Sequence, residues 1–350
     1  MNHKVLLIQP YFGKLPNYFE LWLWSMANNP EFQVLLVTDC DLSTYHLPAN
    51  IFVQQMTFAQ LRQLISEKLA MPIYLEKPYK LVDYRISFAK IFEENLEDYS
   101  HWGWFDIDLT FGRLSHFISE DMLEKYDKIG AFGHLTILKN NKQINCLYLQ
   151  ENLWPVSYKE MYLSPQRFNT NEAGGINRVF YQLGWQYGKF PFSDIGYSQP
   201  KWRDSRYSTP YQFFFVADKR VFIATSQAKD AEILVEEVAY IHYQKRSLKN
   251  LENVNFNQPF YFSNQGVYNF ELKNLPQLLW QDKLNPWMTR YYLYQNFIKK
   301  AWLYAFGKGT MDRHIKEQQQ EMMQLIQNER EKNIIGTWEG ISQQILSNKF

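Results

Sequence analysis

Two carboxylates close an apolar run in WGWFDIDLTFG, residues 102–112, where Asp106 and Asp108 follow two tryptophans and a phenylalanine. In an extended segment, residues two apart point to the same side, so the pair converges on one point if the strand continues through Ile107. Converging carboxylates repel, and a divalent cation between them relieves that repulsion. Gly112 lets the chain turn away afterwards. In open α/β sheets, ligands gather at the carboxyl ends of strands. An isolated Asp-x-Asp is also common as two solvated loop acids, so its company matters. KPYKLVDYR sets Lys80, Asp83 and Arg85 shortly before the pair, and YIHYQKR sets His242, Lys245 and Arg246 after a late apolar segment. Taken singly, these have plainer readings: an ion pair on a helix surface, a core histidine, and surface charges.

The elements that must position these residues follow from apolar periodicity. KVLLI (4–8) and VLLVT (34–38) are short, continuously apolar and rich in β-formers, which predicts buried strands. Between them Pro16 and Asn17 open a helix over about Tyr18 to Ala27. A third strand, IFV (51–53), precedes a helix that Thr57 and Gln60 would close with a capping box. Leu81, Tyr84, Phe88 and Ile91 recur at three and four, which predicts a helix over about Tyr79 to Glu94 with one buried face. The Asp-x-Asp strand, a helix at about 114–125 and a strand at 128–133 follow. Alternating strands and helices predict an α/β protein, a mixed sheet flanked by helices. Beyond residue 135 the chain is irregular, and FFFVAD (213–218), RVFIA (220–224) and AEILVEEVAYIHY (231–243) are expected to return to the sheet.

Composition narrows the function. The 350 residues are 46% hydrophobic, enough for a substantial core. Lys plus Arg number 37 against 36 Asp plus Glu, so no basic field points to nucleic acid. Two distant cysteines, Cys40 and Cys146, fit no zinc or disulfide framework and suit a reducing, cytoplasmic setting. The first apolar run stops at Pro10, too short for a signal peptide, and no apolar span reaches the roughly 18 residues of a transmembrane helix. From about Asn285 the character changes to aromatic, basic WMTRYYLYQNFIKKAWLYAF (287–306) and helix-forming EQQQEMMQLIQNEREKN (317–333). The expected organisation is therefore a main domain over 1–284 and a helical extension over 285–350. The extension could touch an anionic membrane surface peripherally, at the inner face of the cell membrane.

Four pieces in order, FGKLPNYFELW, KPYKLVDYR, HWGWFDIDLTFGRLSHF running on to YDKIGAFGHLTILKN, and IHYQKR, span about residues 4–246. Together they resemble the bacterial capsule and lipopolysaccharide glycosyltransferases of the GT-A fold, which has a Rossmann-type mixed sheet. The resemblance implies a UDP-sugar donor, a saccharide or lipid-linked saccharide acceptor, and Mn²⁺ or Mg²⁺. It implies that Asp108 binds the metal, that Asp106 reaches it through water or holds the ribose, and that His242 is the third protein ligand. Lys245 and Arg246 would hold the diphosphate. Gln9, Tyr11 and Asp39 would line the pocket for uracil and ribose, completed by Lys80, Asp83 and Arg85. His134 and Trp154 are expected on the acceptor side. An inverting transfer also needs a carboxylate base, for which Glu172 in NEAGGINRV is the first choice and Asp194 in PFSDIGY the second.

Two rivals stay open at this stage. A nucleotidyltransferase acting on sugar phosphates lacks a glycine-rich triphosphate loop near the first strand, where FGKLPNYF has a single glycine. A non-catalytic carbohydrate-binding or scaffold protein would bind regardless of metal and nucleotide.

Overall fold

The structure, a computed structural model, describes residues 3–154, 156–196, 202–204, 206–207, 209–244, 246–281 and 334–338. The protein is mixed α/β and divides into two compact units. The first comprises Met1–Pro16, Asn29–Ile107 and Ile118–Phe190, and the second Asn17–Asn28, Asp108–Phe117 and Pro191–Phe350.

Seven described strands precede residue 140: β1 (Val5–Tyr11), β2 (Phe32–Thr38), β3 (Ile51–Gln55), β4 (His101–Phe105), β5 (Leu109–Phe111), β6 (Lys128–Ile129) and β7 (Leu135–Lys139). Eight follow: β8 (Ser193–Asp194), β9 (Tyr211–Ala217), β10 (Arg220–Ser226), β11 (Leu234–Val238), β12 (Tyr240–His242), β13 (Phe260–Ser263), β14 (Gly266–Asn269) and β15 (Ile334–Thr337).

The first unit holds a six-stranded sheet in the order β3-β2-β1-β4-β7-β6. Its β1, β2, β3 and β4 run parallel, β7 runs antiparallel to β4, and β6, antiparallel to β7, again runs with the first four, a Rossmann-like arrangement. β1 pairs with β4 only through Leu7 but with β2 as far as Tyr11. The sheet therefore opens between β1 and β4 at their carboxyl ends, the kind of crevice where open α/β sheets take ligands. Pro10, without an amide donor, lies in the part of β1 that β4 no longer reaches. Alternate residues Leu6, Ile8, Leu35, Val37, Trp102 and Trp104 share one core with Leu61 and Ile65. Each such fully buried side chain contributes about 1.5–3 kcal/mol. The helix Phe58–Leu69, which supplies Leu61 and Ile65, starts with the expected capping box: the Gln60 amide donates to Thr57 Oγ1 at 3.2 Å, and the Thr57 amide to Gln60 Oε1 at 2.8 Å.

The single helix expected over about Tyr79 to Glu94 is instead broken. Pro78–Asp83 and Arg85–Ser87 are 3₁₀ turns, Phe88–Ile91 is one α-helical turn, and Glu93–Leu96 is again 3₁₀. Lys80, Leu81, Asp83, Tyr84, Arg85 and Ser87 are all buried, so between Lys80 and Ala89 the segment has no solvent face of the kind an amphipathic helix presents. Side chains add to the turns, as where both the amide and Oγ of Ser87 donate to the Tyr84 carbonyl at 2.9 Å.

The second unit holds an antiparallel sheet, β14-β13-β9-β10-β11-β15, and a small sheet, β5-β12-β8. The runs at 213–218, 220–224 and 231–243 thus build sheets of this unit rather than returning to the first. Phe213, Phe215, Phe222, Ala224 and Val235 form a core with Leu275 and Leu279 of the helix Leu275–Gln281. The helix Phe19–Ala27 also belongs here; Tyr18, before it, meets Tyr243 edge to face at 4.9 Å. β15 pairs with β11, so residues expected in a helical extension contribute a strand. The helices expected at 287–306 and 317–333, with their membrane contact, and the boundary at 284 lie outside the described residues. Among the described residues no helix is long and apolar enough to cross a membrane.

Candidate functional site

The small sheet gathers three of the candidate residues within the second unit. β12 is its central strand, and His242 ends it, registered with Leu109 of β5 on one side and Asp194 of β8 on the other. The Tyr243 amide donates to the Asp108 carbonyl at 3.1 Å, which carries the β5 side of the ladder one step past the strand. His242 Nδ1 lies 2.9 Å from Asp194 Oδ1, and Nε2 lies 3.5 Å from Asp108 Oδ2. Asp108 and His242 are buried at 4% and 8% exposure. Gln244, in the left-handed region at φ 48°, donates through Nε2 to the same Asp194 oxygen at 2.8 Å.

This is the arrangement in which a carboxylate orients an imidazole. Asp194 accepts the Nδ1 proton and fixes the ring, which leaves Nε2 directed at Asp108. Burial alone pushes the imidazole's pKa down, but the hydrogen bonds and charges of Asp108 and Asp194 outweigh it and raise the value to about 10. Without a metal ion, the raised pKa favours the charged imidazole at neutral pH, and its single charge offsets one of the two facing carboxylates. A divalent cation would take the place of the Nε2 proton. One carboxylate oxygen and one imidazole nitrogen form a mixed donor set that a divalent metal ion could use. Asp194, read from the sequence as a second choice of base, is committed to holding His242.

The strand expected to run through Ile107 stops at Phe105. Asp106 to Asp108 are not in a strand; the chain leaves the first sheet there and enters the small sheet at Leu109. In the first unit, the Asp106 carboxylate receives Arg85 Nη2 at 2.7 Å, and its amide donates to the His134 carbonyl at 2.9 Å. Arg85 also donates to the carbonyls of Phe105 and Gly133, at 3.1 and 3.3 Å. The Gly133 amide donates in turn to Glu172 Oε2 at 3.4 Å, and Asn171 Nδ2 donates to Glu172 Oε1 at 3.4 Å. A Cβ at residue 133 would fall 2.3 Å from Asn171 Nδ2 and 2.8 Å from the Asn171 carbonyl oxygen, so glycine lets the two loops close on each other. Arg85, Asp106, Gly133 and Glu172 thus form one connected set. Asn171 and Gln244, which hold two of the candidate acids, have no spacing in the sequence that marks them.

Other expected residues are placed differently. Lys80 Nζ pairs with Asp83 at 2.9 Å and donates to the Met161 carbonyl at 3.0 Å, while Asp83 accepts the amides of Phe168 and Thr170. Exposed only 6% and 0%, the two pin the 161–170 loop from within, which is a structural task rather than a pocket lining. Trp154 is buried and donates to the Leu147 carbonyl, so it is core and not an acceptor face. His134 is buried and stacks on Phe132 at 5.4 Å. Gln9 and Tyr11 lie at the carboxyl end of β1, and Asp39, just past β2, accepts the Gly13 amide at 3.3 Å. Arg246 Nη2 donates to the Gly196 carbonyl at 2.6 Å. Lys245 lies outside the described residues.

Fold and site together define an α/β protein with an aspartate-histidine-aspartate cluster on a small sheet. The chain belongs to a family of unknown function, DUF6625, whose profile matches residues 7–271 and so takes in every candidate named above. No curated protein matches the sequence significantly.

Proposed function

We propose that the protein is a metal-dependent glycosyltransferase that moves a hexosyl unit from a UDP-sugar to a saccharide or lipid-linked saccharide acceptor. Its setting would be bacterial surface-polysaccharide assembly, capsule or lipopolysaccharide, on the cytoplasmic side of the membrane. The observation that carries the reading is His242, oriented by Asp194 on Nδ1 and facing Asp108 through Nε2. The sequence resemblance to GT-A enzymes supports the choice of chemistry.

Asp108 and His242 would hold Mn²⁺ or Mg²⁺, which supplies positive charge to a diphosphate leaving group. Asp194 keeps the Nδ1 proton, so that Nε2 is presented as a ligand atom once its own proton has left. Arg246 is suited to diphosphate oxygens by its planar fork of donors. Asp106, paired with Arg85, and Gln9, Tyr11 and Asp39 at the strand ends are assigned to the donor nucleoside. Glu172 is the proposed base: as the acceptor oxygen bonds to the anomeric carbon and the bond to UDP breaks, the hydroxyl proton passes to its carboxylate.

Calorimetry of UDP binding with and without Mn²⁺ tests the reading. Wild type is expected to bind UDP more tightly with the metal, and Asp108→Ala to lose that increment. A wild type that binds no nucleotide, or an Asp108→Ala protein that keeps the increment, would sink the assignment. Product analysis with UDP-sugars, against UTP plus sugar phosphates, separates glycosyl from nucleotidyl transfer.

A further inference from the structure

The strand that carries Asp194 is short. β8 is two residues long and pairs with β12 at two positions, Ser193 against Ile241 and Asp194 against His242. A strand of ordinary length, about five or six residues, fixes its own register, whereas β8 needs a further hold. Asp204, fully buried in the same unit, supplies one. The Ile195 amide donates towards β12, to the His242 carbonyl at 2.8 Å, while the Asp194 amide, pointing the other way, donates to Asp204 Oδ2 at 3.0 Å. We propose that Asp204 is a positioning residue for the His242 cluster: its carboxylate fixes β8, and through β8 it holds the Asp194 carboxylate against the imidazole.

The bonds around Asp204 all bear on β8 and its neighbours. Oδ2 also accepts Ser193 Oγ at 3.1 Å, and Oδ1 accepts the Arg206 amide at 3.0 Å and Arg206 Nε at 2.8 Å. Arg206 Nη2 donates to Oδ2 and to the Phe192 carbonyl, and the guanidinium lies 4.1 Å from the centre of the Phe192 ring. Phe192 in turn stacks on Tyr240 of β12 at 5.3 Å. A buried carboxylate is tolerated when it is paired and hydrogen-bonded, and the groups that satisfy this one are β8 and the arginine beside it. Asp204 is itself tied to the large sheet of the unit. Its amide donates to Gln212 Oε1 at 2.9 Å, and Gln212 Nε2 donates back to the Asp204 carbonyl at 3.2 Å. Gln212 belongs to β9, a strand paired on both sides. Support thus runs from β9 through Gln212 and Asp204 to the Asp194 backbone, and from the Asp194 side chain to His242 Nδ1 at 2.9 Å.

The role calls for a carboxylate. Asparagine would present one acceptor oxygen and one NH₂ group, so either the Arg206 donors or the Ser193 and Asp194 donors would face another donor. The strand end would then shift, and the Asp194 carboxylate with it. The consequence for the ring rests on these hydrogen bonds alone, whereas the consequence for a metal ion rests on the function proposed above.

The test is proton NMR of the full chain in EDTA. A hydrogen bond to a carboxylate moves the His242 Nδ1 proton to low field and protects it from exchange with water, and His242→Gln identifies the signal. Asp204→Asn is expected to speed that exchange by about tenfold or more, and Ser193→Ala, which removes one donor to the same carboxylate, by a smaller factor. Ser193→Ala keeps the test decisive if Asp204→Asn does not fold. Leu279→Ala is the control: it opens a cavity in the core on the Phe213 and Phe215 face of β9 and should leave the rate as in wild type. A wild type without a protected signal, an unchanged rate in every β8-directed variant that folds, or an equal acceleration in Leu279→Ala overturns the role of Asp204. Calorimetric Mn²⁺ titration is the second measurement. Asp204→Asn should weaken binding about tenfold in the wild-type background and not at all beside Asp194→Asn, because it acts through that residue. Equal losses in both backgrounds overturn the route through Asp194. A wild type that binds no Mn²⁺ counts against the metal reading, and exchange at Nδ1 then decides the role of Asp204 by itself.

Discussion

At His242 one imidazole answers to two carboxylates, and the two have different tasks. Asp194 sits at hydrogen-bond distance from Nδ1 and orients the ring, while Asp108, at 3.5 Å from Nε2, would share an ion with it in the function proposed above. Asp194→Asn is therefore expected to fold normally and to lose roughly 10–100-fold in Mn²⁺ affinity, as removal of an orienting partner does elsewhere. Calorimetric Mn²⁺ titration measures it; an unchanged affinity would remove Asp194 from the site. The same cluster predicts a pH dependence. Because the folded imidazole's pKa of about 10 lies above its ordinary 6.5, its stabilisation is full below about pH 6.5 and is lost as pH rises through 10. Lys128 works the other way: burial, with Lys189 nearby, lowers it to about 7 from 10.5, so the cost of burying its charge fades as pH rises. The contribution of His242 is thus the difference between wild type and His242→Gln in EDTA. Urea unfolding should show that difference shrinking between pH 7 and 10, and a constant difference would contradict the assignment.

At the scale of elements, sites arise where strands end or change sheet. The chain passes from β4 to β5 across Asp106–Asp108, and β12 brings His242 back from the far end of the sequence into register with β5 and β8. Apolar runs made β1, β2 and the helix Phe19–Ala27 legible, and the Thr57–Gln60 pattern located a helix start correctly. The broken 78–96 segment was not legible, because burial of its middle produces the same apolar recurrence as an amphipathic face when the polar residues between are buried in pairs, as Lys80 and Asp83 are. Nor was the change of sheet after Phe105, since alternation reports extension and not which partner strand is met. Gly103 gives an element-scale test. A Cβ there would fall 2.1 Å from the Thr136 carbonyl of β7, so Gly103→Ala should part β4 from β7 and destabilise the protein by about 1–3 kcal/mol. Denaturant unfolding would register it, and a neutral result would show that the two strands yield easily.

For the molecule as a whole, the Asp108, His242 and Asp194 cluster lies in the second unit, and the opening between β1 and β4 lies in the first. A ligand that binds only the folded state stabilises what it touches, by about 2.7 kcal/mol at 100 times its dissociation constant. Saturating Mn²⁺ is accordingly expected to slow amide exchange most at β5, β8 and β12. Exchange slowed only in the first six-stranded sheet would count against the proposed ligands. The sequence by itself determined the α/β class, the buried strands, the helix cap and the types of residue that could serve a cation, because these follow from local periodicity and side-chain chemistry. Only the tertiary structure decided that Asp194 meets His242 at hydrogen-bond distance and that Lys80 and Asp83 are internal. Those outcomes depend on strand register and loop packing between residues tens to more than a hundred positions apart, which one-dimensional spacing does not encode.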